Sequence, residues 1–285
     1  MTTTQIRDDA VLFLDGDAVL ARYEIRPRTA PLESPRPYVH PLRTRAGREV
    51  TLFRPDDHVW HQGLSLALPN AGPHNFWGGP TFTREAGRYV QLPNNGAQVH
   101  AEERDAGPGA YAHRLAWIAA DGSAVFSEER RLRAAVLADD AWALRWETSL
   151  RNVSGGTLAM GSPTTQGREN AGYGGLFWRG PRSFEGGRAV TPGGLVDADA
   201  QRGGTAPWMG LVGDGATVVM AGLDRDPQWF VRSEEYAGLC PAPFFDEELA
   251  LADGAILELR CDLVIADGAL DPARAAHLVE AARFV

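Results

Sequence analysis

Hydrophobic and polar residues alternate with a period of two in the clearest segments of the chain. In AWALRWETSLRN, one face of an extended strand carries Trp142, Leu144, Trp146 and Leu150. In ILELRCDLVI the apolar face includes Cys261. Such alternation is typical of antiparallel strands with one buried face, so both segments are predicted to be strands. Cys261 is then a small core residue rather than a nucleophile.

Shorter apolar segments extend this pattern over most of the chain, and turn signals such as LDGD, AADG, GDG and IADG separate them. Many short strands punctuated by glycine and aspartate predict a sandwich or a barrel. We expect further strands over Val19–Ile25, Tyr38–Leu42, Glu49–Phe53, Leu64–Leu68, Tyr111–Ile118, Ala124–Leu132 and Thr217–Leu223.

One helix is well signalled, at the C-terminal end. Asp271 is a suitable N-cap, Pro272 fits the first helical position, and apolar residues follow at helical spacing. The glycine-rich stretch Gly161–Gly204 is expected to form long functional loops. Because no linker, charge block or repeat divides the chain, we predict one all-β domain over residues 1–285. It would be a large antiparallel β-sandwich with a single C-terminal helix.

Composition narrows the classes of partner. The chain has 285 residues, 28 of them basic and 37 acidic, for a net charge of −9. No basic stripe is present, which disfavours nucleic acid as a partner. No window approaches the roughly 18 apolar residues of a membrane span, and the first residues lack signal-peptide features. We therefore expect a cytoplasmic protein with no membrane partner, and the oligomeric state stays open.

The segment HVWHQGLSLALPNAGPHNFWGG, residues 58–79, concentrates candidate chemistry. It holds three of the chain's seven histidines and two of its eight tryptophans. His58 and His61 are three positions apart, which would place them on opposite faces of a regular strand. An irregular entry into the strand that begins at Leu64 would instead let both side chains point the same way.

Three interpretations of these histidines stay open. Beside Asp56 and Asp57, His58 and His61 would form an acid–base pair, because imidazole titrates near neutral pH and a carboxylate fixes its tautomer. They would otherwise be metal ligands, or polar residues at the sandwich rim. HxxH lacks the glutamate and helical spacing of a zincin. We expect no cofactor; a divalent metal is the alternative, held by His58 and His61 with His74, or with His100 or His40.

Amide and indole side chains near these histidines fit a sugar. Asn75 and Asn94 both donate and accept hydrogen bonds, which suits neutral hydroxyl groups. Trp60 and Trp77 would offer flat apolar surfaces for the C–H face of a sugar ring. The plainer interpretation is that the asparagines form turns and the tryptophans belong to the core.

The segment SPTTQGRENAGYGGLFWRGPRSF is a second candidate. Arg168, Arg179 and Arg182 lie among aromatic residues, and a guanidinium group is a fork for a carboxylate or a phosphate. Asn170 is a further candidate for ligand contact, and Trp178 is a candidate aromatic wall. The plainer interpretation is an ordered surface loop with solvated arginines.

Late in the chain, DPQWFVRSEEYAGLC supplies Arg232 and two adjacent glutamates. A carboxylate here would act as a base opposite the histidines. Glu234 and Glu235 point in opposite directions if extended, so at most one would face the site. Glu147, on the polar face of its strand, is the other candidate base.

Three segments carry a family resemblance: HPLRTRAGREVTLFRPDDHVWHQGLSLALPNAGPHNFWGG, GYGGLFWRGPRSF and WFVRSEEYAG. They resemble the bacterial methane oxygenase PmoA-like family, from about Tyr38 to Ile265. The strand-rich pattern, early histidines and late glutamate are also similar to the galactose mutarotase-like supersandwich. These resemblances imply carbohydrate chemistry, with His58 or His61 as the acid and Glu234 or Glu147 as the base.

The sequence therefore predicts an enzyme that acts on a sugar or an oxidised sugar by His/Glu acid–base chemistry, through epimerisation, elimination or hydrolysis. One alternative is a metal-dependent lyase or hydrolase with a histidine site. The other is a non-catalytic carbohydrate-binding domain, with an open aromatic platform away from the histidines. The enzymatic interpretation requires that imidazole, aromatic and guanidinium side chains line one cavity at the mouth of the sandwich.

Overall fold

This computed structural model describes residues 2–222 and 226–283. One α-helix, α1, spans Pro272–Ala282. The strands in chain order are β1 Thr2–Arg7, β2 Ala10–Asp15, β3 Ala18–Glu24, β4 Tyr38–Leu42, β5 Leu64–Ala67, β6 Asn70–Ala71, β7 Thr81–Thr83, β8 Arg88–Val90, β9 Ala97–Gly107, β10 Ala110–Ile118, β11 Ala124–Ala138, β12 Ala141–Asn152, β13 Leu158–Gly161, β14 Gly175–Arg179, β15 Arg188–Thr191, β16 Gly194–Asp197, β17 Trp208–Gly213, β18 Ala216–Gly222, β19 Gln228–Arg232, β20 Gly238–Ala242, β21 Leu249–Leu251 and β22 Ile256–Asp267.

Two large antiparallel sheets form the sandwich. The eight-stranded sheet has the order β1-β2-β3-β4-β5-β14-β20-β19, and the nine-stranded sheet has the order β16-β15-β17-β18-β22-β12-β11-β10-β9. Two small sheets, β21-β13-β6 and β7-β8, lie beside them. The predicted all-β antiparallel sandwich with one C-terminal helix is confirmed.

The apolar faces of the two large sheets enclose one continuous core. Trp142 and Trp146 of β12 contribute from the nine-stranded sheet, and Leu66 and Leu176 contribute from the eight-stranded sheet. Cys261 is 3% exposed in this core, as the alternation predicted. Burial raises the pKa of its thiol well above the usual value. The thiol therefore stays protonated and packs as a small apolar group.

Helix α1 covers the outer face of the nine-stranded sheet. The Asp271 carboxylate caps its first turn by accepting a hydrogen bond of 2.8 Å from the backbone N–H of Arg274. Leu278 and Val279 are buried in a second apolar cluster that includes Val264 of β22. The predicted cap and the apolar face of this helix are both confirmed.

Two sequence predictions about elements are wrong. Glu49–Phe53 forms only isolated bridges, Arg43 with Glu49 and Phe53 with Gln62, because no neighbouring strand runs alongside it for more than one pair. Gly161–Gly204 is not a series of loops, since β14, β15 and β16 lie within it. Leu223, the end of a predicted strand, lies outside the described residues. Across the described ranges, no helix has the length and apolar character of a membrane span.

Candidate functional site

Two consecutive tight turns bring His58 and His61 together. The backbone N–H of His58 donates to the carbonyl of Pro55 at 3.0 Å, and that of His61 donates to the carbonyl of His58 at 2.9 Å. The two imidazole rings are stacked, with centroids 4.5 Å apart and planes 10° from parallel. The chain between β4 and β5 is irregular, so both rings point the same way before β5 begins at Leu64.

Asp57 orients the His58 imidazole. Its Oδ2 lies 2.8 Å from His58 Nδ1, and because a carboxylate only accepts, Nδ1 carries the proton. The other ring nitrogen, Nε2, is then free to accept or donate, on a side chain that is 35% exposed. Burial raises the pKa of Asp57, but the hydrogen bond from His58 and the charge of Arg179 outweigh it, and the pKa lies below its ordinary value.

Arg179 fixes the state of His61. Its Nη1 donates to His61 Nδ1 at 3.2 Å, and its Nη2 donates to Asp57 at 3.1 and 3.2 Å. A guanidinium only donates, so His61 Nδ1 accepts and Nε2 carries the proton. Burial, with the charges of His58, Arg179 and Arg36, holds the pKa of His61 well below 6.5. His61 is therefore a neutral hydrogen-bond donor.

A cavity of about 230 Å³ opens beside the two imidazoles. Its charged lining residues are Arg168, Arg232 and Glu235. It lies on the outer face of the eight-stranded sheet, where alternate residues of β14 and β19 form an aromatic cluster separate from the main core. The aromatic walls of the cavity are Trp60, Trp77, Tyr89, Tyr173, Phe230 and Tyr236.

A family model matches residues 10–280, which is nearly the whole chain. The chain belongs to DUF6807, a family of unknown function. The resemblance to the PmoA-like family stays a prediction. No curated protein matches the sequence significantly.

Two solved structures similar to this DUF6807 chain come from bacteria. A candidate aldose 1-epimerase of Escherichia coli K12 is 14% identical, with a TM-score of 0.42, over 95% of this chain and 99% of the other. A galactose mutarotase related enzyme of Lactobacillus acidophilus is 12% identical, with a TM-score of 0.40, over 95% of this chain and 99% of the other.

The asparagines of the DUF6807 chain support the cavity rather than line it. Asn75 is buried, and its Oδ1 accepts from the backbone N–H groups of Trp77 at 2.8 Å and Gly78 at 2.9 Å. Asn94 Nδ2 donates to the carbonyl of Pro73 at 2.9 Å. Since both amides are occupied by the protein, their predicted contact with sugar hydroxyls is corrected to a positioning role.

Three other predicted residues lie away from the cavity. Trp178 alternates with Phe177 and Arg179 on β14, so it faces the sandwich core, where its Nε1 donates to the carbonyl of Val50 at 2.7 Å. Arg182 is exposed at a short 3-10 turn. Asn170 is exposed with φ +51°, which is a turn conformation. The predicted aromatic wall at Trp178 and ligand contacts at Arg182 and Asn170 are wrong.

Neither predicted glutamate faces the histidines. Glu147 lies in the nine-stranded sheet and pairs with Arg260, whose Nε is 3.1 Å from its Oε1. Glu234 is exposed, and its backbone N–H donates to Asp199. Of the two adjacent glutamates only Glu235 lines the cavity, and both lie in a bend that follows β19 rather than in extended chain. The carboxylate that contacts the His58 imidazole is Asp57.

The described residues do not fit the proposed metal site. His74 does not line the cavity and packs against Phe76, with ring centroids 6.2 Å apart. The Arg179 guanidinium lies against His61 Nδ1 and would repel a cation there. Within residues 2–222 and 226–283, no three His, Cys, Asp or Glu side chains are grouped closely enough to hold a metal ion.

A larger opening of about 440 Å³ is lined by residues of both sheets; half of them are leucine or proline, and Glu247, Glu248, Glu258 and Arg260 also line it. None of its described lining residues is a histidine. Of these two openings, the smaller cavity is therefore the better candidate for chemistry. Sequence reasoning missed four of its aromatic walls, Tyr89, Tyr173, Phe230 and Tyr236. Three of them lie within five positions of a predicted arginine, Tyr173 near Arg168 and both Phe230 and Tyr236 near Arg232. Tyr89 lies in the short hairpin of β7 and β8.

Proposed function

We propose that the cavity binds a small carbohydrate and that the protein is an enzyme that moves a proton on it. His58 would be the general acid–base group, and His61 would donate a hydrogen bond to the oxygen on which negative charge develops. The observation that carries this proposal is a pair of hydrogen bonds, one between Asp57 and His58 and one between Arg179 and His61. Both imidazoles line the same aromatic cavity.

The two imidazoles are prepared for different tasks. His58 Nε2 has no proton when the ring is neutral, so it accepts one from a hydroxyl or from a carbon beside a carbonyl. The imidazolium that forms is stabilised by Asp57, as in a carboxylate–histidine pair. His61, kept neutral by burial, presents Nε2–H to an oxygen without competing for the proton. The proton then returns from His58 Nε2 to the substrate.

An isomerisation fits this arrangement best. A proton leaves and returns in such a reaction, so it needs neither a nucleophile nor a second substrate. The cavity has one carboxylate-backed imidazole and one neutral donor, rather than two facing carboxylates. Aromatic walls suit the C–H face of a sugar ring and limit the access of water. The volume of about 230 Å³ is below the usual range for ligand pockets, roughly 300–1,000 Å³, which favours a monosaccharide over a polymer.

The decisive experiment uses purified protein with a panel of reducing and oxidised monosaccharides. Anomer exchange and solvent-deuterium incorporation are followed by NMR. We expect His58→Gln to lower turnover by roughly 10²- to 10⁴-fold, while ligand binding is kept. His277→Gln is the matched control, because His277 is exposed on α1.

Turnover that survives in His58→Gln would exclude the proposed role of His58. Binding without turnover in the wild-type protein would instead favour a non-catalytic carbohydrate-binding domain. That alternative predicted histidines remote from the aromatic platform, whereas here both line the same cavity.

A further inference from the structure

The charges that face the cavity are unbalanced. Arg168 and Arg232 line it, and among the described lining residues Glu235 is the only carboxylate. Glu235 pairs with Arg232 but is 73% exposed, so water screens much of its charge. Behind the imidazoles, Asp57 is already offset by Arg179. A net positive lining therefore occurs in a chain whose net charge is −9.

Both guanidinium groups are held by stacking. Arg168 lies over the ring of Tyr89, 4.6 Å from its centroid, and Arg232 lies 5.5 Å from the centroid of Tyr236. Stacking occupies the face of a guanidinium, and at its edge one N–H of Arg168 donates to the Tyr89 hydroxyl and one N–H of Arg232 donates to Glu235. The Nε of Arg232 is buried and has no hydrogen-bond partner, so at least one donor of this pair is unused.

Arg168 and Arg232 line the cavity together with Tyr173. Tyr173 is buried, which raises the pKa of its phenol, and the charges of both Arg168 and Arg232 act in the opposite direction on that same group. The Tyr173 hydroxyl in turn lies 2.7 Å from that of Tyr89. Two like charges around one phenol repel each other, and an anion bound between them would relieve that repulsion.

We propose that the ligand carries an anionic group, a carboxylate or a phosphate ester, which Arg168 and Arg232 bind while His58 and His61 face the reacting end. This inference rests on the proposed function and names its substrate class. An oxyanion offsets the charge of a guanidinium and accepts two parallel hydrogen bonds from its edge, whereas a neutral sugar hydroxyl accepts without offsetting that charge.

The test compares glucose, glucuronate and glucose 6-phosphate as probes, by calorimetry at low and moderate salt. They share a pyranose ring and differ at one carbon. We expect at least one of the two acids to bind roughly 10- to 100-fold more tightly than glucose. Arg232→Gln and Arg168→Gln should remove most of that preference, because they lower the affinity for the acids by a much larger factor than the affinity for glucose. Arg182→Gln, at an exposed arginine outside the cavity, should change neither value.

Tighter binding of glucuronate would identify the anionic group as a carboxylate, and tighter binding of glucose 6-phosphate would identify it as a phosphate ester. Equal affinities for all three probes, or no acid binding at millimolar concentration, would overturn the inference. So would equal losses for acid and neutral ligands in the arginine variants. Far-UV circular dichroism checks that each variant is folded, and Arg232→Lys tests whether charge alone suffices.

Parallel turnover assays separate this inference from the proposed function. If neutral sugars turn over in a His58-dependent way and neither acid is bound more tightly or turned over faster than glucose, only the anionic class is wrong. If acids bind in an arginine-dependent way without turnover, only the enzymatic role is wrong.

Discussion

Glu128 and Arg130 form an ion pair in the centre of the sandwich, where both side chains are fully buried. Arg130 Nε donates to Glu128 Oε1 at 2.7 Å, and Trp117 Nε1 donates to Oε2 at 2.7 Å. Thr148 donates to the same carboxylate at 2.9 Å. Each charge is thus compensated by a full set of partners, which is what makes its burial tolerable.

Removing one member of this pair should be costly. Glu128→Gln would leave the Arg130 charge uncompensated in the core, and we expect a loss of about 3–5 kcal/mol in the free energy of unfolding. Urea titration measures it. The control is Glu129→Gln at the next position, where the carboxylate is 51% exposed and pairs with Arg104 only at 3.8 Å. Similar losses in both variants would contradict this account of the core.

At the scale of single residues, the sequence also predicted several cavity residues but not their roles. His58, His61 and Trp60 follow from residue types clustered in one short segment. Trp178 could not be placed, because the alternation along β14 does not say which of its two faces meets the other large sheet. Glu147 failed for a related reason, since β12 belongs to the nine-stranded sheet and the histidine segment leads into β5 of the eight-stranded sheet.

Gly78 and Gly79 form the bend that lets Trp60 pack against the chain after Trp77. Both have positive φ, +104° and +65°, and a Cβ at Gly79 would lie 2.7–2.9 Å from the Trp60 indole ring. The bend therefore sets one wall of the cavity. Glycine is needed here for close approach as well as for backbone conformation.

A methyl group at Gly79 should displace that wall. We expect Gly79→Ala to weaken ligand binding by about tenfold or more, through movement of Trp60, in addition to the strain of roughly 1–2 kcal/mol for alanine at positive φ. Gly87→Ala carries the same backbone strain at φ +61° with nothing within 4 Å of its Cβ. Tryptophan fluorescence and calorimetry compare the two. Equal binding in both variants would count against the role of the bend.

The helix offers a second test at the level of an element. Asp271→Ala removes the cap on the first turn of α1 and should cost about 1 kcal/mol of stability. Asp271→Asn, which retains a capping oxygen, should cost much less. Thermal unfolding distinguishes the two, and an equal shift in melting temperature would show that the cap contributes nothing.

Elements with a local signature were predictable, and those that depend on distant neighbours were not. The cap and spacing of α1 and the alternation of β12 and β22 are local. The edge strand β9 is mostly exposed and four of its eleven residues are charged, so it shows no clear alternation and is defined by its pairing with β10. The order β5-β14-β20 joins segments far apart in sequence, which no local pattern encodes.

Across the whole molecule, buried histidines link stability to pH. His113 is 1% exposed; its Nε2 lies 2.9 Å from the Tyr23 hydroxyl, and its Nδ1 lies 2.9 Å from Nδ1 of His100. Burial, followed by the charges of Arg130 and His100, lowers the pKa of His113 from 6.5 to about 2. Folded protein therefore keeps this ring neutral at pH values where the unfolded chain protonates it.

Acid should destabilise the protein through this difference. Above pH 6.5 His113 is neutral in the folded and the unfolded state, so it does not change the slope of the unfolding free energy against pH. Below pH 6.5 the unfolded chain binds a proton at this residue that the folded protein does not bind. Each such histidine then lowers the free energy of unfolding by up to about 1.4 kcal/mol per pH unit, down to its folded pKa. Urea titrations at pH 7, 6 and 5 should show a smaller slope for His113→Gln than for His277→Gln. Equal slopes of the unfolding free energy against pH in the two variants would contradict this role of His113.

The cavity draws its walls from four separated parts of the chain, residues 58–61, 77–89, 168–173 and 230–236. No fragment that ends before Phe230 contains all of them. Occupancy of the cavity is therefore a reporter of completed assembly: in a refolding experiment it should appear only after the last strands have docked. A shortened chain that still formed most of its sheets would be well structured and yet unable to bind the ligand.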